Sequence, residues 1–167
     1  MKRLFTIGYE GANLEEFLTT LGNARIDVLL DIRELPMSRR KGFSKNALCE
    51  ALAEIDIDYR HEKQLGSPKS VRHKLREDGD YQAFFQAFNR HLKKQNDLLL
   101  TLTEELNGNV ALMCYEKDPS LCHRSSVVDA LAEMLDIRPK HLEVGYSATR
   151  KARQTADSNI SQGISSA

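Results

Sequence analysis

"NVALMCYEKDPSLCHRSSVVDALAEML", residues 109–135, decides how the chain folds. Its first seven residues are a short apolar run of strand type. Its last dozen repeat apolar residues with a helical period, and "KDPS" between the two is a turn. A strand that passes through a tight turn into a helix is half of a βα unit, and sheets made of such units are parallel and covered on both faces. Strand alternation puts Val110, Leu112, Cys114 and Glu116 on one face, with Glu116 at the tip. Ser120 offers an N-cap, which places Cys122, His123 and Arg124 in the first helical turn and sends Val127, Val128, Leu131, Met134 and Leu135 inward.

The same pattern recurs along the chain. Strands are expected near 3–7, 27–32, 57–61, 109–115 and 141–144. Between them, Asn13 caps a helix carrying Leu14, Phe17, Leu18 and Leu21, and Ser44 starts one that buries Leu48, Leu52 and Ile55. A long helix from about Asp80 to Leu106 carries Tyr81, Phe84, Phe85, Phe88, Leu92, Leu99 and Leu102, with a break near "KKQND". The expectation is a three-layer α/β fold: a mainly parallel five-stranded sheet with helices on both faces, in one domain over 1–146. Residues 147–167, rich in Ser, Ala and Gln, read as a disordered tail.

A chain of 167 residues can hide roughly two-thirds of its unfolded surface without staples. Its 24 basic and 24 acidic side chains cancel, which argues against a surface wholly given over to nucleic acid or anionic lipid. The opening "MKRLFTIGYEGANLEEF" has too short an apolar run for a secretory signal, and no stretch has the length to cross a bilayer. Three cysteines without an export signal point to a reducing, cytoplasmic home and free thiols. The sequence sets no oligomeric state.

In open parallel sheets ligands bind at the carboxyl ends of the strands. This chain loads those ends with "GYEG" at 8–11, Asp31-Ile32-Arg33 followed by "PMSRRKGF", "RHEKQLGS" at 60–67, and the opening stretch. Arg33, Arg39, Arg40, Lys41 and Lys45 crowd the second loop; residues 60–76 add Arg60, Lys63, Lys69, Arg72, Lys74 and Arg76. Guanidinium forks suit phosphate or carboxylate, so two basic loops at one edge suggest an anionic substrate; a solvated charged loop is the alternative. At Cys122, the free N–H groups of a helix start together with His123 and Arg124 favour a thiolate, and Glu116 can orient them or carry a proton. Cys114 in an apolar strand and Cys49 within a helix fit core packing. A zinc reading uses Cys114, Cys122, His123 and Glu116. Against it stand an unfamiliar C-x7-C-H spacing, adjacent helical residues that point apart, and a nearby Arg124 cation.

Taken together, "TIGYEG", "DIRELPMSR", Leu65-Gly66, "CYE" and "CHR" resemble the family known as domain of unknown function 488, from about Thr6 to the helix after Arg124. That family usually reads Asp-Val-Arg at the second motif and a glycine pair at the third, where this chain has Ile32 and Ser67. The resemblance implies an α/β fold and a constellation at Gly8, Tyr9, Glu10, Gly11, Asp31, Arg33, Pro36, Ser38, Arg39, Cys114, Glu116, Cys122, His123 and Arg124. It implies no particular reaction.

The functional expectation is an enzyme acting on a small or nucleotide-like anionic substrate. Cys122 is its activated thiol, with Cys114 and His123 beside it. Arg124, Arg33 and Arg39 hold the anion; Glu116 and Glu10 carry or orient protons. Gly8, Tyr9, Gly11, Asp31 and Ser38 shape the substrate site, with Tyr9 covering it, and no metal or other cofactor is assigned. A second reading is a nucleic-acid-binding or accessory protein with structural cysteines, its stacking candidates being Phe43 and Tyr59. A third is a zinc-dependent hydrolase.

Overall fold

The computed structural model describes residues 1 and 3–145; the expected tail at 147–167 lies outside the described residues. Five strands form one sheet: β1 (Arg3–Gly8), β2 (Val28–Asp31), β3 (Asp58–His61), β4 (Asn109–Cys114) and β5 (Lys140–Leu142). Their order is β3-β2-β4-β1-β5 and every pairing is parallel. The helices are α1 (Leu14–Asn23), α2 (Lys45–Ala53), α3 (Lys69–Asp78), α4 (Tyr81–Lys93), α5 (Asn96–Glu105) and α6 (Arg124–Leu135). The expected three-layer α/β fold is therefore the one the chain adopts. Among the described residues no helix is long and apolar enough to cross a membrane.

Strand alternation divides the interior into two cores. Val110, Leu112 and Cys114 of β4 pack with Leu4, Val28 and Leu30 against Phe88, Leu99, Leu102, Val127, Val128 and Leu131 of α4, α5 and α6. Ala111 and Met113 face the other way, with Phe5, Ile7 and Leu29, against Phe17, Leu21, Leu48 and Leu52 of α1 and α2. Each fully buried leucine contributes about 1.5–3 kcal/mol, so the period-two pattern fixes which helices go on which side. In the register, Gly8 lies opposite Cys114 and Asp31 opposite Met113, which brings the carboxyl ends of β1, β2 and β4 to one edge.

Local signals act as the sequence implies at most element ends. Asn13 caps α1 in a reciprocal capping box with Glu16, the Glu16 N–H donating to Asn13 Oδ1 over 2.8 Å. The long helical stretch breaks at Lys94 and Gln95 into α4 and α5.

Four features differ from the sequence reading. The basic segment after β3 is not all loop: it forms a 3-10 turn at Lys63–Leu65 and then α3, which buries none of its own side chains and so carries little apolar signal. The last helix starts at Arg124, not Ser120, because Pro119–Leu121 form a separate 3-10 turn capped by Asp118. Ile55, Tyr81 and Met134 are exposed, Ile55 lying beyond the end of α2. Cys49, expected in the core, is an exposed free thiol on α2.

Candidate active site

A cavity of about 470 Å³ opens at the carboxyl edge, between the ends of β1, β2 and β4 and helix α3. Its floor includes Tyr9, Cys114, Glu116 and His123; its far wall carries Ser67, Arg72 and Arg76. Of the residues singled out in the sequence, Tyr9, Arg33, Ser38, Cys114, Glu116 and His123 meet here. Gly8, Glu10 and Gly11 line a smaller neighbouring hollow of about 210 Å³, and Arg39 is exposed away from both. Asp31, Cys122 and Arg124 stand behind the cavity wall, fully or almost fully buried.

The central finding is the meeting of two sulfurs. The Sγ atoms of Cys114 and Cys122, expected as free thiols, come together at the end of β4, while the two Cα atoms stand 7.6 Å apart, so that closing a relaxed disulfide between them takes a backbone movement. Cys122 reaches its partner because it precedes the helix: its backbone is extended, with φ −132° and ψ 141°, and His123 follows at the helix N-cap. The two adjacent side chains therefore converge where a regular helix would have splayed them apart. The two sulfurs and an imidazole nitrogen of His123 lie within 4.8 Å of one another, a donor set of the composition that takes zinc when both sulfurs are thiolates. Joining the two sulfurs as a disulfide closes that set to an ion; as thiolates they leave it open.

Arg124 organises this cluster. It is completely buried, and its Nη1 lies 3.3 Å from Cys114 Sγ. Nη1 also donates to the Glu116 carbonyl, Nη2 donates to the Lys117 carbonyl over 3.1 Å, and the Arg124 backbone N–H points at Cys122 Sγ over 3.4 Å. Its Nε has no hydrogen-bond partner among the described residues. Burial pushes the guanidinium's pKa down, while Glu116 and Asp118 hold it up. Among the described residues no carboxylate forms an ion pair with it. A buried cation without a paired anion is costly, so the pocket around Arg124 is electrostatically incomplete while the sulfurs are bonded. Gly8 makes the arrangement sterically feasible, since a Cβ there would collide with the Glu116 carbonyl and lie 2.9 Å from Arg124 Nη1.

Glu116 Oε2 lies 3.3 Å from Cys114 Sγ, the neighbour relation that strand alternation requires. Burial raises its pKa, opposed by its backbone N–H and by Arg124. His123 is held by a bond between Nε2 and the Ile32 carbonyl, 2.9 Å long, which can only be an N–H donation because a carbonyl accepts. Nδ1 is then the bare nitrogen of the neutral ring, and it faces Cys122 Sγ at 3.7 Å. Burial lowers the His123 pKa to about 4, so the ring is uncharged at neutral pH.

The basic residues divide into engaged and available groups. Arg33 makes a two-pronged pair with Asp31 at 2.9 and 2.7 Å and also donates to the Tyr9 hydroxyl and the Phe43 carbonyl. Burial disfavours its charge, yet the bonds and proximity to Asp31 raise its pKa, and the pair is electrically closed. Tyr9 is buried beneath Phe43, with ring centroids 4.5 Å apart, and forms part of the floor. Phe43 and Tyr59, the stacking candidates, are occupied: Phe43 is fully buried and the Tyr59 hydroxyl donates to Asp31 over 2.6 Å. Arg72 donates to the Ser67 carbonyl and pairs with Glu34 at 3.4 Å. Arg76 is exposed on α3 and forms no ion pair among the described residues. Ser67 was legible only as a departure from the family's glycine pair; its buried Oγ has no hydrogen-bond partner among the described residues.

No curated protein and no solved structure matches the chain. The family model described as domain of unknown function DUF488 does match, over residues 13–131, which takes in the second to fifth motifs and leaves "TIGYEG" outside. On the strength of that match, which covers well over half its length, the chain belongs to the family of domain of unknown function DUF488.

Proposed function

We propose that the chain is an enzyme acting on a small anionic substrate, and that its nucleophile is Cys114 in the reduced form. The observation that carries this reading is the buried Arg124 guanidinium, 3.3 Å from Cys114 Sγ and lacking a carboxylate ion-pair partner among the described residues. A thiolate at Cys114 supplies the missing negative charge, and the cation in turn lowers the thiol pKa. Cys114 also lines the cavity, whereas Cys122, the thiol that the sequence puts first, stands behind it.

Glu116 completes the chemistry. Two negative charges 3.3 Å apart are unfavourable, so the Cys114 sulfur and the Glu116 carboxyl share one proton and one charge, balanced by Arg124. The carboxyl can deliver that proton to a leaving group as the sulfur attacks. Arg76 on the facing helix and the Ser67 hydroxyl, which has no partner among the described residues, are the groups that hold the substrate's anion.

The test is alkylation of the fully reduced chain by iodoacetamide across pH, in a Cys49→Ser background that removes the exposed thiol. Cys114 is expected to react ahead of Cys122, with an apparent pKa well below the ordinary value of about 8.5, and phosphate or a carboxylate is expected to protect it. Reaction first at Cys122, or an ordinary pKa at Cys114, refutes the assignment.

A further inference from the structure

The sulfur pair has a property that nucleophilic catalysis does not require: the second sulfur is already in place to displace whatever the first one binds. We propose that Cys114 and Cys122 form a reversible dithiol/disulfide centre that exchanges with a small anionic thiol entering the same cavity. The proposal rests on the cavity being the substrate site, as argued above, and adds an activity and a ligand class to it.

Access to the disulfide is one-sided. Cys114 lies on the cavity floor and Cys122 does not, so an incoming thiolate meets Cys114 first. Both sulfurs have an N–H directed at them, from the Arg124 side chain at 3.3 Å and from its backbone at 3.4 Å, so either can leave as a thiolate. The bare Nδ1 of His123, 3.7 Å from Cys122 Sγ, accepts a hydrogen bond from the Cys122 thiol once that sulfur is protonated. The centre is thus asymmetric: charge is stabilised at Cys114 and the proton at Cys122.

The ligand class follows from the walls. Among the described residues Arg76 forms no ion pair and so offers a positive charge, and Ser67 offers a buried hydroxyl with no hydrogen-bond partner. Around the mouth, Leu35, Met37, Tyr115 and Leu121 are all exposed, four large apolar side chains on the rim of a charged cavity. A thiol carrying a carboxylate on a short carbon body matches both.

In the first step the bound thiolate forms a bond to Cys114 Sγ. The Cys114–Cys122 bond breaks with its electron pair going to Cys122 Sγ, which takes up the proton lost by the incoming thiol. In the second step another thiolate of the same class attacks the ligand sulfur of the mixed disulfide, expelling Cys114 as a thiolate beside Arg124. Two thiols are oxidised to one disulfide, the protein disulfide is reduced, one proton rests on Cys122 and the other passes to solvent.

The experiment measures reduction of the air-oxidised full chain by mercaptosuccinate, 2-mercaptoethanol and cysteamine, with rates corrected to thiolate concentration and the products trapped for mass spectrometry. Mercaptosuccinate is expected to react at least about tenfold faster than cysteamine, as a cationic cleft predicts, with the gap narrowing at high salt and in Arg76→Ala. In Cys122→Ser, the disulfide of mercaptosuccinate is expected to lodge on Cys114. Rates indifferent to thiol charge, a label on Cys49 in place of Cys114, or no Cys114–Cys122 bond in the oxidised chain each overturn the proposal. An ordinary Cys114 pKa, by contrast, removes the nucleophile reading while leaving the charge preference to be judged on these rates.

Discussion

Arg124 Nη1 and Cys114 Sγ stand 3.3 Å apart at the end of β4, one on a fully buried cation and the other on the cavity floor. The contact ties the start of α6 to the end of the central strand, and sets a buried cation beside the sulfur. In the reduced chain, Arg124→Met is expected to raise the Cys114 pKa by a unit or more, toward the free-thiol value of about 8.5. Arg124→Lys should retain part of the shift, because it keeps the charge but loses the fork that holds the Glu116 and Lys117 carbonyls. The pH dependence of iodoacetamide alkylation reads both variants; equal pKa values in all three chains would break the link.

Asp31 accepts four hydrogen bonds: from the Arg33 backbone N–H and Nε at Oδ1, and from Arg33 Nη2 and the Tyr59 hydroxyl at Oδ2. Burial and the bond to Asp31 together push the Tyr59 pKa up, so the phenol stays a donor throughout the working range. Asp31→Asn strands the buried Arg33 charge and should cost about 3–5 kcal/mol, read as a lower urea midpoint. Asp31→Leu combined with Arg33→Met removes both charges and should cost less than Asp31→Asn alone. The reverse order would mean that the pair stabilises by attraction and not by mutual compensation.

Much of this was legible in the sequence. Strand alternation put Cys114 beside Glu116, and the turn after β4 put Cys122, His123 and Arg124 at the same edge. The meeting of the two sulfurs was not legible, because it depends on Cys122 being extended ahead of the helix, a consequence of the 3-10 turn that Pro119 and Asp118 set up. Helix α3 was hidden for a different reason. Its residues are mostly charged and none is buried, so neither period nor hydrophobicity announces it, although it supplies the cavity wall with Arg72 and Arg76. Arg33 was read as a group that holds the substrate's anion, and a single chain gives no sign that Asp31, two residues before it, would hold both edges of its guanidinium.

Gly8 lies opposite Cys114 in the sheet and under the Glu116 carbonyl. A Cβ would meet backbone there, which cannot swing aside as a side chain can. Gly8→Ala should therefore destabilise by about 2 kcal/mol or more. Gly11→Ala has open space around its Cβ, but its φ of +76° disfavours a side chain, so a loss of about 1 kcal/mol is expected. Thermal or urea midpoints that rank Gly11→Ala as the more damaging change would contradict the close approach at Gly8.

The cluster of Cys114, Cys122 and His123 also makes a definite prediction about metals. If Cys114 works as a free thiolate against Arg124, protein purified under reducing conditions without added metal should carry well under one zinc per chain. Chelator treatment should then leave the Cys114 alkylation profile unchanged. Stoichiometric zinc that is lost in both Cys122→Ser and His123→Gln would replace the thiolate reading with a Cys2His centre, whose ring orientation the Ile32 carbonyl already fixes.

His123 should leave a mark on stability against pH. Its folded pKa is lowered from 6.5 to about 4, chiefly by burial, with Arg124, Arg72 and His91 adding to the effect and the Ile32 carbonyl opposing it. Below 6.5 the unfolded chain takes up a proton on this ring that the folded chain refuses, so the stabilising contribution is complete above 6.5 and is lost as the pH falls toward 4. The size of the shift corresponds to about 3 kcal/mol across that window. His123→Gln keeps an N–H donor for the Ile32 carbonyl but cannot take up the proton. The difference in urea unfolding free energy between wild type and this variant should therefore shrink steadily from pH 7 to pH 4, carboxylate titrations being common to both. A difference that stays constant over the window would show that His123 takes up its proton at the same pH in the folded chain as in the unfolded one, and the bare Nδ1 beside Cys122 would go with it.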